Sequence, residues 1–216
     1  MDIEALEKLI KDRRSIRKWK KGEIPDELIK KAVELATWAP NGGNYQGWHF
    51  IVVKKKEVIE KMAGTLQSVA DRIATWPESI SWQEEVKRYQ AKTSFFKEAS
   101  TCIGVFVSKY QNVMDKVLLA REALDPEARR IVEFRRSAPT AIQSAAAAVA
   151  TMLLVFQQMG LGAVWLGSPL MAKTEIETIL GVPESQSLVC LVALGYADEA
   201  PQKERKPVDQ VLEWVR

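Results

Sequence analysis

Three short runs of apolar, largely β-branched residues, WHFIVV at 48–53, TCIGVFVS at 101–108 and LVCLVAL at 188–194, stand far apart in the chain with helix-patterned stretches between them. Runs of this length and composition read as buried strands, and their separation rules out a sheet built from tight hairpins alone. A shorter run at 164–166 supplies a fourth strand. Helical periodicity falls at 57–70, 82–99, 114–123, 126–135, 139–159 and 174–180, the last closed by Gly181 with Pro183 beyond it. Strands spaced by helices without a regular βα repeat predict an α+β fold, a small mixed sheet surrounded by helices.

No linker divides the 216 residues, so 1–216 is expected to be a single domain. With 47% hydrophobic and 27% charged residues the chain has the balance of a soluble globular protein. Its formal charge of +3 is too small for a nucleic-acid partner, which needs many phosphates neutralised along one face. The N-terminal MDIEALEKLIKDRR lacks the pattern of a signal peptide, and the longest apolar stretch, 145–155, falls well short of a membrane span. A cytoplasmic protein without a membrane partner is expected. Cys102 and Cys190 lie inside strand runs, as small buried hydrophobes do, and no Cys/His cluster suggests a metal.

Ile3, Leu6, Leu9 and Ile10 define a first amphipathic helix, which delivers Arg13, Arg14, Ser15 and Arg17 at its end. Guanidinium forks and a hydroxyl within five residues suit the oxygens of one phosphate monoester, although a solvated basic helix end has the same composition. A second helix starts at Pro25-Asp26-Glu27 and stops near Ala39. The following PNGGNYQGW, 40–48, combines glycines that accept positive φ with amides that both donate and accept, which suits a heterocycle or a plain capped loop. In GLGAVWLGSP, 160–169, the glycines end a helix and let backbone approach a ligand. No strand precedes them, which excludes a dinucleotide fingerprint. Arg205 adds a late basic group. His49, the single histidine, opens a strand and is expected to be packed or hydrogen-bonded rather than catalytic.

Taken together, these four segments resemble the nitroreductase-like family of FMN-dependent oxidoreductases. There an N-terminal RRSxR, a P-S-x-x-N-x-Q-P-W loop, a GLG-x-x-W segment and a late basic residue meet one flavin, in the order seen here. The resemblance implies that Arg13, Arg14, Ser15 and Arg17 contact the FMN phosphate and ribityl chain, with Arg205 closing on the phosphate. Pro40, Asn41 and Asn44 would lie beside the isoalloxazine ring, Gln46 and Trp48 would hold that loop, and Trp165, Leu166 and Gly167 would sit near the redox centre. Two positions depart from the pattern, Asn41 in place of serine and Gly47 in place of proline. The resemblance further implies a fold completed in a homodimer, with 200–216 as an arm on the partner subunit. Two electrons would pass from NADH or NADPH to a small acceptor such as a nitroaromatic or quinone, by a ping-pong route needing no catalytic side chain and no metal. Enone reduction, reductive dehalogenation and flavin fragmentation occur on the same fold, and a flavin binder without turnover is the reading from another class. The aromatic-rich stretch 70–96 sits where family members shape the substrate side.

Overall fold

The computed structural model describes residues 2–216. Helix α1 (Ile3–Asp12) is capped by Asp2, whose carboxylate accepts from the Ala5 amide at 2.7 Å. It leads through an extended segment to β1 (Trp19–Lys20), a two-residue strand too short to leave a sequence pattern. There follow α2 (Asp26–Ala36), β2 (Trp48–Val53), α3 (Lys56–Ala74), α4 (Gln83–Thr93) and β3 (Thr101–Ser108). The second half runs α5 (Val113–Arg121), α6 (Pro126–Ser137), α7 (Thr140–Gln158), β4 (Gly162–Leu166), α8 (Lys173–Leu180) and β5 (Gln186–Ala197).

The sheet is centred on β5, which pairs antiparallel with β3, β4 and, at its end, β1, while β2 pairs antiparallel with β3 at one edge. A single parallel bridge joins Ser15 to Ala163, so the sheet is mixed only at that point. Alternation along β3 sends Ile103, Val105 and Val107 to one face and Cys102 and Phe106 to the other. On the first face lie α2, through Ile29, Ala32 and Ala36, and α7, through Ala148, Val149, Met152 and Phe156. On the second lie α3, through Ile59, Met62 and Leu66, and α8, through Ile176. The result is three layers, with β3 covered on both sides as its unbroken apolar run requires. A bulge between Val105 and Phe106 puts Val189 and Cys190 of β5 on the same face.

Differences from the sequence expectation have local causes. The helix expected over 82–99 ends at Thr93, and Phe95–Glu98 form a separate 3₁₀ turn that buries Phe96 and stacks Phe95 on Trp19 at 6.1 Å. The helical run Pro126–Gln158 is, among the described residues, the one long and apolar enough to be weighed as a membrane span. It is interrupted at Ala138, whose φ and ψ are −136° and 67°, and α7 buries six residues in the core. That is the behaviour of a core helix. Both cysteines are buried, and desolvation pushes their thiols up to about 12. His49 is exposed on the edge strand and makes no side-chain hydrogen bond among the described residues, so it is not the packed or bonded side chain expected. The strand's outward alternation, which a lone apolar run does not reveal, puts it there.

Candidate cofactor site

The first helix ends because Arg13 takes extended backbone angles (φ −61°, ψ 127°) while its amide still reaches the Leu9 carbonyl. The extended segment then runs beside β4: Ser15 bridges Ala163, and the Ile16 amide donates to the Ala163 carbonyl at 3.1 Å. Alternate side chains of an extended segment point to opposite sides. Ile16 is buried and lies so close to Gly162 that a Cβ there would meet it at 2.8 Å. This explains the second glycine of GLG as a packing requirement. The first, Gly160, has a φ of +75° and ends α7, with the Leu161 amide reaching back to the Phe156 carbonyl at 2.9 Å.

Arg14 shares the side of Ile16 and lines with it a cavity of about 280 Å³ under the end of α7, closed by Gln157, Glu199 and Pro201. Its guanidinium donates to the carbonyls of Lys11 and Arg13, and its Nε is buried without a partner. Arg13, Ser15 and Arg17 belong to the other side. The tail returns Arg205 to the vicinity of Arg13, where burial first, then the positive charges of Arg205 and Arg14, hold the Arg13 guanidinium below its ordinary range. Among the described residues no carboxylate forms an ion pair with Arg13, Arg14, Arg17 or Arg205. Asp12 and Glu199 line the Arg14 cavity, and Glu199 accepts from the backbone amide of Arg17 at 2.5 Å. Like charges gathered without compensation are unfavourable unless an anion joins them, and a phosphate has the charge and oxygen geometry to do so.

The loop after α2 is organised by its own amides. Asn41 accepts from the Gln46 amide at 3.0 Å, and the Gln46 side chain donates to Asn44 at 3.2 Å. Asn44 and Gln46 hold positive φ angles of 51° and 52°, and Gly43 one of 60°, conformations that asparagine and glycine accept most readily. Gln46 therefore holds the loop, and Trp48 anchors it by packing on the first core. Gly42 donates to the Ser144 hydroxyl of α7 at 3.2 Å, and a Cβ on Gly42 would lie 2.2 Å from Thr140. The Tyr45 ring occupies the space a side chain at Gly47 would need, with a Cβ there 2.3 Å from it. Glycine in place of proline at 47 thus goes with the tyrosine at 45.

Trp165 is paired with Val192, so its side chain projects from the sheet face that carries Ala163, α2 and α7, and it stays 37% exposed. Leu166 is buried on the opposite face, and Gly167 is exposed just beyond the strand. The structure brings Arg13, Ser15, Arg17, Arg205 and the start of β4 together. It does not bring the 40–47 loop to them within one chain: the loop is fixed at Ser144, and the Arg14 cavity lies at Gln157, about 20 Å further along α7. Sequence reading missed Tyr110, which closes the loop from outside with its ring 5.1 Å from that of Tyr45. An isolated tyrosine after a strand carries no signal.

The fold is three-layered, with an arginine cluster at one end of α7 that lacks carboxylate ion pairs among the described residues, and an amide-organised loop at the other. The Nitroreductase family model matches residues 10–196, and the chain belongs to that family. It is 27% identical to an iodotyrosine deiodinase of Thermotoga neapolitana, over 97% of both chains. At the same identity it spans 94% of itself but 58% of the longer iodotyrosine dehalogenase 1 homolog of Caenorhabditis elegans. It is 30% identical to a protein of Methanothermobacter thermautotrophicus named NADH dehydrogenase/NAD(P)H nitroreductase, over 89% of this chain and 77% of that one. Among solved structures, a BluB-like flavoprotein from Clostridium difficile 630 superposes over the whole of both chains, with a TM-score of 0.84 and 27% identity. An FMN-bound nitroreductase from Desulfitobacterium hafniense DCB-2 shares the fold at a TM-score of 0.73 and 23% identity, also over both whole chains.

Proposed function

We propose that this chain is an FMN-dependent oxidoreductase that passes two electrons from NADH or NADPH to a small electrophilic acceptor, a nitroaromatic or quinone, in two alternating half-reactions. The observation that carries this reading is the convergence of Arg205 on Arg13 and Arg14, with no carboxylate paired to any of the three among the described residues, next to Ser15 and Arg17, whose guanidinium reaches the Ser15 carbonyl. Arg13, Ser15, Arg17 and Arg205 would hold the phosphate and ribityl chain, with Arg14 adding its charge from behind. Pro40, Asn41 and Asn44 would border the ring. The Asn41 oxygen is already committed to the Gln46 amide, which leaves its NH₂ to donate to a ring carbonyl. Trp165, Leu166 and Gly167 would present backbone near the redox centre from the end of β4. When bound, FMN supplies the electron-transfer chemistry. The chain supplies positioning, positive potential against the anionic reduced ring, and shelter from water, and no side chain acts as acid, base or nucleophile.

The separation of the loop from the arginine cluster supports a homodimer, in which the loop of one subunit can meet the arginines of the other. Two further features fit that assembly. The outer edge of β2 is unpaired among the described residues, and residues 202–216 are all exposed although they include Val208, Val211, Leu212, Trp214 and Val215. We assign 200–216 as an arm that packs on the partner subunit. The buried free thiols fit a reducing, cytoplasmic setting.

The test is an anaerobic titration of the purified protein. Flavin absorbance should bleach with NADH or NADPH and return on adding a nitroaromatic, and absence of bleaching with both donors sinks the mechanism. The likeness to iodotyrosine deiodinase over 97% of both chains favours reductive dehalogenation as a second reading. Adding 3-iodotyrosine to the same reduced protein distinguishes it, since iodide release would replace nitro reduction as the recovering reaction.

A further inference from the structure

A cavity larger than the one beneath Arg14 lies away from the arginine cluster. It lies between the α5–α6 hairpin and the ends of β3 and β5, with a volume of about 440 Å³, inside the range of about 300–1,000 Å³ usual for small-molecule pockets. Six of the nine residues of helix α5 are apolar yet none is buried, and the Leu118 and Leu119 side chains stay partly exposed. With Val132 of α6 and Ile142 of α7 they wall this space. The hairpin is tied together by polar contacts. Asn112 and Asp115 form a reciprocal capping box at the start of α5, Asp115 pairs with Arg135, and Arg136 grips Glu122 through two bonds. These pairs fix α6 against α5 and set the position of the hairpin's apolar side over the cavity.

The same ion pairs decide what the cavity takes. Arg135 and Asp115 line it, but each is neutralised by the other, and Arg136 is neutralised by Glu122. The remaining ionic groups at the lining, Lys109 and Glu184, are exposed and of opposite sign. A charged ligand would lose its hydration here without gaining a free counter-charge. The inner polar groups are neutral: Ser108, Ser187 and Gln186. The Oε1 of Gln186 is buried without a hydrogen-bond partner, so turning that amide toward a donor in the cavity recovers a bond it lacks.

We propose that this cavity is a binding site for a neutral aromatic molecule carrying a hydrogen-bond donor, such as a phenol, separate from the FMN phosphate cluster. Tyr110, Val107 and Ala141 wall both this cavity and the small space behind the asparagine loop, and the Tyr110 hydroxyl lies 2.7 Å from where a Cβ on Gly43 would stand. A ligand here therefore rests on the outer wall of the loop.

The probe is 2-naphthol, compared with the anion 2-naphthoate, titrated calorimetrically into the full chain as isolated. Naphthol should bind and naphthoate should bind at least about tenfold more weakly, reflecting the uncompensated cost of burying its charge. Two variants block the site: Leu119→Trp fills it from α5, and Ser185→Trp closes its mouth from an exposed turn that tolerates substitution. Each should abolish naphthol binding while FMN content, read by absorbance, is unchanged. Naphthol binding that survives Ser185→Trp in folded protein, or naphthoate binding as tightly as naphthol, overturns the proposal. The assay needs no turnover, so failure of the oxidoreductase reading leaves its outcome interpretable.

Discussion

Arg135 and Arg136, on α6, each reach a carboxylate, and those pairs pin one helix to another. Arg13, Arg14, Arg17 and Arg205 reach none; Arg14, Arg17 and Arg205 turn only to backbone carbonyls, and Arg13 is crowded by the charges of Arg205 and Arg14. The same side chain is thus spent in two ways. Where the charge is matched within the chain, it holds structure and leaves the neighbouring cavity electrically quiet. Where it is unmatched, a bound anion would relieve the repulsion, and binding and stability would then be linked there.

The largest effect expected on this contrast comes from Arg13→Ala, which should weaken FMN binding by about 1.5–3 kcal/mol, the usual worth of a charge-assisted bond, with little loss in the apoprotein. A fluorescence titration of apoprotein with FMN reads it, and unchanged affinity would break the assignment. Gly162→Val comes next. The added side chain must displace Ile16 and with it the Ser15 bridge, so a stability loss of about 1–3 kcal/mol by denaturant titration should be accompanied by weaker FMN binding. On the matched side, Arg135→Ala should cost only about 0.5–1 kcal/mol, because the arginine is 42% exposed against 12% for Asp115 and water screens the pair, and it should leave FMN affinity alone.

The smallest effect is one of pH. The hydrogen bond from Arg135 holds the Asp115 carboxyl below its usual value near 3.8. Its contribution is therefore present above that unfolded value and lost as pH falls through the lower folded one. The hairpin should loosen only in acid below about pH 4, the ordinary carboxylate range, and Asp115→Asn should remove that dependence. An acid transition of equal size in the Asn variant would show that the pair does not set it.

Much of this was legible in the sequence because it rests on local rules. The strand runs, the buried cysteines, the helix break before Pro40 and the convergence of Arg205 on the N-terminal arginines all agree with what composition, periodicity and family resemblance suggested. What escaped depends on direction or on distant partners. Arg14 reads like its neighbours until the extended backbone turns it to the Ile16 side. Within the aromatic stretch 70–96, composition does not tell that Trp76, Trp82 and Tyr89 are exposed while Phe96 is buried, because the chain changes course at Ser94. The α5–α6 cavity is walled by residues of β3, α5, α6, α7 and β5, and no window of the sequence contains them together.

The two buried thiols have a practical consequence. Cys102 and Cys190, held near 12 and closed to solvent, will not compete for a maleimide at neutral pH. A single cysteine placed on the tail at Val215 or on the loop at Tyr45 can therefore carry a spin or fluorescent label in the otherwise natural chain. Distances between such labels would report how two copies are arranged.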